Sequence, residues 1–187
     1  EMSQMFFLKN FIGVDIKGNR IWKGAKICLE KKITNAAFLR TQIDKIGQYF
    51  SSTEVDEIWI TFPDPHLRNS KARKRLTHPK FLRMYHRFLK PNGLINLNTD
   101  SPDLYFFTKK IIELYDLKII SDIDDLYQTE NIKDELKIRT HYESLDIAKS
   151  NKVFYLCFSL PVMLNNNDES LIAYLQSEKL KNEARLS

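Results

Sequence analysis

Asp64 stands between Pro63 and Pro65 in the stretch TFPDPHLRNSKARKRLT, residues 61–77. Five cationic side chains follow without an intervening acid: Arg68, Lys71, Arg73, Lys74 and Arg75. Proline fixes its own φ and restricts the residue before it, so Phe62 and Asp64 are both expected to be extended. A carboxylate on a stiffened segment is suited to orienting a ligand. It cannot hold a phosphate, but it can accept from N–H donors on a base edge. On guanine, N1–H and the 2-amino group lie on one edge, while N7 is a bare acceptor on another. An acid gripping the donor edge leaves N7 free to attack a methyl donor in line. No proton need be removed first, so catalysis would rest on position and electrostatics. The plainer alternative is a solvated aspartate in an ordinary turn.

The placement of charge supports a polyanionic partner. The net formal charge is +5, yet residues 66–90 hold nine Lys and Arg (the five above with Lys80, Arg83, Arg87 and Lys90) and no acid. The rest of the chain carries 20 basic against 24 acidic residues. One positive surface on a mildly acidic body is the footprint of nucleic-acid binding, though a basic run is often only a solvated helix face. The 187 residues, 43% hydrophobic and 28% charged, suit a globular domain with a real core. No apolar run reaches the length of a membrane span and no secretory leader is visible. Cys28 and Cys157 are far apart and form no metal-binding spacing. The expectation is a reduced, cytoplasmic protein with no membrane association and no metal.

Alternating elements must position these residues. NFIGVDI (10–16) reads as a buried strand and NRIWKGAKICLEKK (19–32) as a helix with Ile21, Trp22, Ala25 and Leu29 inward. NAAFLRT (35–41) reads as a strand, IDKIGQYF (43–50) as a short helix, and EVDEIWITF (54–62) as the strongest strand, stopped by the prolines. PKFLRMYHRFLK (79–90) is a helix with Thr77 as candidate cap and Phe81, Leu82, Tyr85, Phe88 and Leu89 as core stripe. PNG (91–93) is a turn, LINLNT (94–99) a strand, and SPDLYFFTKKIIELY (101–115) a helix opened by Ser101-Pro102. KIISDI (118–123) and VFYLCFSL (153–160) are strands with no helix between them, expected to pair antiparallel. Residues 162–187 read as a polar spacer and a charged helix, set apart from a domain over 1–161. The order predicts an α/β fold, a mostly parallel sheet with helices on both faces. Ligands of such sheets sit at the carboxyl ends of the strands, where Asp15, Asp64 and Asp100 all fall. Asp15 could accept from ribose hydroxyls or cap the helix after it. None of the five glycines forms a GxG turn, and EMSQMFFLKN (1–10) reads as the end of a helix, so the domain is expected to lack its first strand and glycine-rich loop.

FIGVDIKGNRIWKGAK, NAAFLRTQI, IWITFPDPHLRNSKARKRLTHPKFL, LKPNGLINLNTDSPDLYFFT and IRTHYE together resemble the bacterial tRNA (guanine-N7-)-methyltransferases over about residues 10–145. The resemblance implies a Rossmann-like class I methyltransferase fold, S-adenosylmethionine as cofactor, and methyl transfer to a guanine in the tRNA variable loop. It implies cofactor contacts at Asp15, at Gln42 (where an acid is usual) and at Asp64, which is also the catalytic residue. It places Arg68, Asp100, Thr140, His141, Tyr142 and Glu143 on the substrate. Lys71, Arg73, Lys74 and Arg75 are expected to hold tRNA phosphates. His66 and Leu67 stand where Trp-Pro or Trp-His is more usual. A monomer or homodimer is expected. Two alternatives stay open: a non-catalytic RNA-binding fragment, and a nucleic-acid methyltransferase acting on an exocyclic amine.

Overall fold

The computed structural model describes residues 1–139 and 152–184, with backbone alone for 181–184. The chain forms two compact units, Glu1–Tyr49 with Asn131–Ile147, and Phe50–Glu130 with Ala148–Ser187.

The first unit is built on a strand–helix–strand element. After a short helix α1 (Met2–Met5) come β1 (Phe11–Asp15), α2 (Gly18–Glu30) and β2 (Ala36–Arg40). β1 and β2 pair in parallel from Phe11 opposite Ala36 to Asp15 opposite Arg40. The Asn35 side-chain amide ties α1 and its exit to the start of β2, donating to the carbonyls of Ser3, Phe6 and Lys9. The inward stripe of α2 differs from the expected one: Ile21, Gly24, Ala25 and Cys28 are half-buried, while Trp22 and Leu29 are exposed. The reason is Gly24. A Cβ there would lie 2.6 Å from the Phe38 ring, so the missing side chain lets α2 approach β2 closely and sets which face turns in. The short helix expected over 43–50 is a 3₁₀ helix, Ile43–Gln48, and buries Ile46.

The second unit is a four-stranded sheet of order β3-β4-β6-β5. Its strands are β3 (Val55–Thr61), β4 (Leu89–Thr99), β5 (Lys118–Ile123) and β6 (Phe154–Ser159). β3 and β4 are parallel, and β6 runs antiparallel to both of its neighbours. The final pair therefore matches the expected antiparallel join. β4 begins five residues earlier than expected, because Pro91-Asn92-Gly93 is absorbed as an irregularity in the β3–β4 register rather than forming a separate turn. A Cβ on Gly93 would meet Leu89 Cγ at 2.5 Å and the Lys90 carbonyl at 2.8 Å, so the irregularity needs glycine.

Two helices cover the sheet: α3 (Pro79–Tyr85) and α4 (Pro102–Leu114). α3 ends at Tyr85, five residues short of the expected 79–90. Phe81, Leu82 and Tyr85 form its buried stripe, while Phe88 and Leu89 are buried beyond it, Leu89 as the first residue of β4. The cap of α3 is His78 rather than Thr77: its Nδ1 accepts from the Lys80 N–H at 3.0 Å. Thr77 is fully buried and shares a 2.8 Å hydrogen bond with Thr108 of α4. Ser101 caps α4 by accepting from the Leu104 N–H at 3.3 Å, with Pro102 in the first turn. A last helix, α5 (Asp168–Ala184), packs within this unit. Asp168 accepts from Arg83 at 2.6 Å and from the Tyr115 hydroxyl, and Leu171 is buried. The Arg83 guanidinium holds the Asp168 carboxyl below the usual carboxylate range. Among the described residues, no helix is long and apolar enough to cross a membrane.

Candidate active site

The Pro-Asp-Pro turn follows β3 directly. Phe62 is not extended: its φ is +48°, and His66 has φ +44°. Two non-glycine residues in the left-handed region cost roughly 1–2 kcal/mol each. The proline rule fails at Phe62 because β4 claims its backbone, the Phe62 N–H donating to the Asn98 carbonyl at 2.8 Å. Within the turn, Asp64 Oδ1 accepts from the His66 N–H at 3.0 Å and lies 3.5 Å from His66 Nδ1. Oδ2 has no partner among the described residues. The Asp64 side chain is 72% exposed, and it lines neither of the two hollows described below.

The cationic block is a 3₁₀ turn, Asn69–Lys74. Arg68, Lys71, Arg73 and Lys74 are exposed, free to meet an anionic surface. Arg75 is a correction. Only 4% of it is exposed, and its guanidinium is spent inside the protein. Nε donates to the carbonyls of Pro65 (3.1 Å) and His66 (3.3 Å), and Nη2 to those of His66 (3.1 Å) and Leu67 (3.3 Å). The guanidinium carbon lies 4.4 Å from the Phe107 ring centroid. Burial lowers its pKa and the nearby Asp103 raises it, but a guanidinium stays charged throughout. A phosphate contact from this side chain would require breaking those charge-assisted bonds, each worth about 1.5–3 kcal/mol.

Asp100 follows β4 as Asp64 follows β3. Because Thr61 pairs with Asn98 in parallel register, both acids fall at the carboxyl ends of adjacent strands, as expected. Asp100 is half-buried. Two residues earlier, Asn98 Oδ1 is buried without a hydrogen-bond partner, as is Asn96 Nδ2 on the same face. Thr140, His141, Tyr142 and Glu143 lie outside the described residues.

In the first unit, Asp15 ends β1. Its Oδ1 accepts from the Lys17 N–H at 2.9 Å and its Oδ2 pairs with Arg20 at 3.2 Å. Asp15 does not cap α2, whose N-cap is Lys17 without a side-chain cap bond. It orders the entry to that helix, while 27% of its side chain faces solvent and each oxygen can accept again. Gln42 lines a hollow of about 370 Å³ with Ile16, Arg40, Thr41, Lys45 and Tyr49. An amide beside an aromatic ring suits a purine, which offers both a hydrogen-bonding edge and a stacking face. These donors and acceptors fit the nucleoside part of the implied cofactor. The second unit has a wider hollow of about 570 Å³, floored by Phe106, Ile112, Leu117 and Ile119. Among the described residues no cluster could hold a metal ion.

Parallel strands joined through helices, an antiparallel sixth strand and acids at the carboxyl strand ends define the Rossmann-like fold of S-adenosylmethionine-dependent methyltransferases. An S-adenosylmethionine-dependent methyltransferase from Aquifex aeolicus shares this fold at 12% identity, with a TM-score of 0.51 over 80% of this chain and 68% of that one. A family model described as "Putative methyltransferase" matches residues 1–156, and the chain belongs to that family. It is 44% identical over 160 residues to the tRNA (guanine-N(7)-)-methyltransferase of Bacteroides thetaiotaomicron, covering 86% of this chain and 63% of the relative. It is 40% identical over 153 residues to the enzyme of the same name from Christiangramia forsetii, covering 81% and 68%. The chain thus spans a little under two thirds of the length of the first of these relatives.

Proposed function

We propose that the protein containing these residues transfers a methyl group from S-adenosylmethionine to N7 of guanine in tRNA. One observation carries this reading: the Pro-Asp-Pro turn and its exposed cationic residues sit at the carboxyl end of β3, in a family whose similar members bear that activity.

The cofactor supplies an electrophilic methyl group when bound. Asp15 and Gln42 would hold its ribose and adenine. Asp64 offers Oδ2 to the N1–H and 2-amino donors of guanine, while its Oδ1 stays fixed by the His66 N–H. The carboxylate also offsets the positive charge that develops on the purine as N7 is alkylated. Arg68, Lys71, Arg73 and Lys74 draw in the tRNA backbone. Asp100, and Thr140, His141, Tyr142 and Glu143 by the family resemblance, complete the substrate side. Action on tRNA fits a cytoplasmic protein, the location expected from the sequence.

Incubation of the full-length protein with S-adenosylmethionine and tRNA, followed by nucleoside mass spectrometry, tests the proposal. 7-Methylguanosine is expected. Methyl on an exocyclic amine would assign a different reaction. Retained tRNA binding with no product and no calorimetric signal for the cofactor would leave RNA binding alone.

A further inference from the structure

We propose that Arg75 is a positioning residue: its buried guanidinium gathers three consecutive loop carbonyls and so holds the turn that presents Asp64, without itself touching RNA. The claim that this turn serves catalysis rests on the methyltransferase reading. The claim that Arg75 holds the turn does not.

Three features carry it. The carbonyls of Pro65, His66 and Leu67 converge on one side chain that lies eight to ten residues away in sequence. Convergent carbonyl dipoles repel one another unless a cation sits among them, and a buried cation is unstable unless it has such acceptors. Each therefore requires the other. Secondly, the loop is strained: Phe62 and His66 both have positive φ. Such backbone persists only where surrounding contacts over-determine it. The His66 carbonyl, receiving both Nε and Nη2, belongs to one of the two strained residues, and its N–H is the donor that fixes Asp64 Oδ1. The path from Arg75 to the carboxylate is therefore one residue long. Thirdly, the guanidinium is itself anchored. It lies against the Phe107 ring of α4, and the Arg75 N–H donates to the Ala72 carbonyl at 3.0 Å. The turn carrying Asp64 is thus referenced to the helix layer through a planar fork. An ammonium could not reproduce that geometry, because it lacks the fork's fixed donor directions and its stacking face.

The test compares Arg75→Lys, Arg75→Gln, Phe107→Leu and the double variant Arg73→Ala/Lys74→Ala in the full-length protein. Amide exchange over residues 62–68 is expected to rise roughly tenfold or more in Arg75→Lys with a cooperative melting transition retained. The kcat for tRNA methylation should fall about 100-fold while KM for tRNA stays within about threefold. The salt slope of tRNA binding should be unchanged in Arg75→Gln and shallower by about 1–2 in the double variant. Should Arg75→Lys fail to fold, Phe107→Leu, which leaves the guanidinium but removes its platform, is expected to show the same rise in loop exchange to a smaller degree. Unchanged exchange in the variants that fold, or a shallower salt slope in Arg75→Gln, would overturn the proposal. A wild-type protein with no methylation activity would sink the methyltransferase reading alone, since exchange and salt slope still judge Arg75.

Discussion

At the scale of single residues, protonation and charge decide what the site can do. His78 shows this most directly. Burial, followed by the positive charge of Arg73, pushes its imidazole down from 6.5 to about 4. The neutral form is also the one that can accept from the Lys80 N–H and cap α3. Between pH 6.5 and 4 the unfolded chain binds a proton that the folded chain does not. Stability therefore falls as pH is lowered through that window, by at most about 3 kcal/mol, and this contribution levels off below pH 4. Urea unfolding at pH 7 and 4.5 should show part of the wild-type loss missing in His78→Asn, which keeps a cap acceptor but cannot titrate. At Asp64, replacement by Ala is expected to lower methylation at least 100-fold with tRNA affinity within about threefold, read by single-turnover kinetics and filter binding. How much of this was legible differs by residue. Asp64 announces itself through its flanking prolines. The strain at Phe62 does not, because a tertiary hydrogen bond to β4 overrides a local rule. Arg75 looked like its four cationic neighbours, since only packing against α4 separates it from them.

The elements show where pattern and packing agree. Hydrophobic runs located β3 and α4, and Ser101 the start of α4. The helical stripe expected through Leu89 stops at Tyr85, because the chain enters β4 at Leu89. Patterns located less well the face of α2, which is set by the close approach at Gly24, and the start of β4, where Gly93 lets the strand take in a turn. The tail helix reads in the sequence as set apart from the domain, and its contacts group it with the second unit. α5 joins the second unit through Asp168 on Arg83 and Tyr115, and Asn69 at the start of the basic turn donates to the Leu175 carbonyl at 3.4 Å. It therefore backs the turn that carries Lys71, Arg73 and Lys74, although it lies beyond the residues matched by the family model. Leu171 is its buried contact, 3% exposed. Leu171→Ala should cost about 2–3 kcal/mol in urea unfolding if the helix docks as described. A change under about 0.5 kcal/mol would mean that it does not contribute to the folded unit.

Across the whole molecule, opposite demands fall on different faces. Residues 66–90 carry nine Lys and Arg and no acid, while the rest of the chain is net acidic; a local block of that kind suits a polyanionic partner. Replacing Lys71, Arg73 and Lys74 together by Ala should weaken tRNA binding and reduce its salt slope by about 2. An unchanged slope in titrations between low and moderate salt would show that the block meets no phosphate. The central claim is narrower than this electrostatic one: the Asp64 carboxylate grips the donor edge of guanine so that N7 is presented for methylation. It is tested most directly by single-turnover methylation of tRNA carrying inosine, which lacks the 2-amino donor, in place of the target guanosine, with both wild type and Asp64→Ala. The expected result is a loss of about 10–100-fold on inosine substitution in the wild type and less than about twofold in Asp64→Ala, because the partner is already gone. Equal losses in both proteins would mean that Asp64 and the 2-amino group never meet, which contradicts the account.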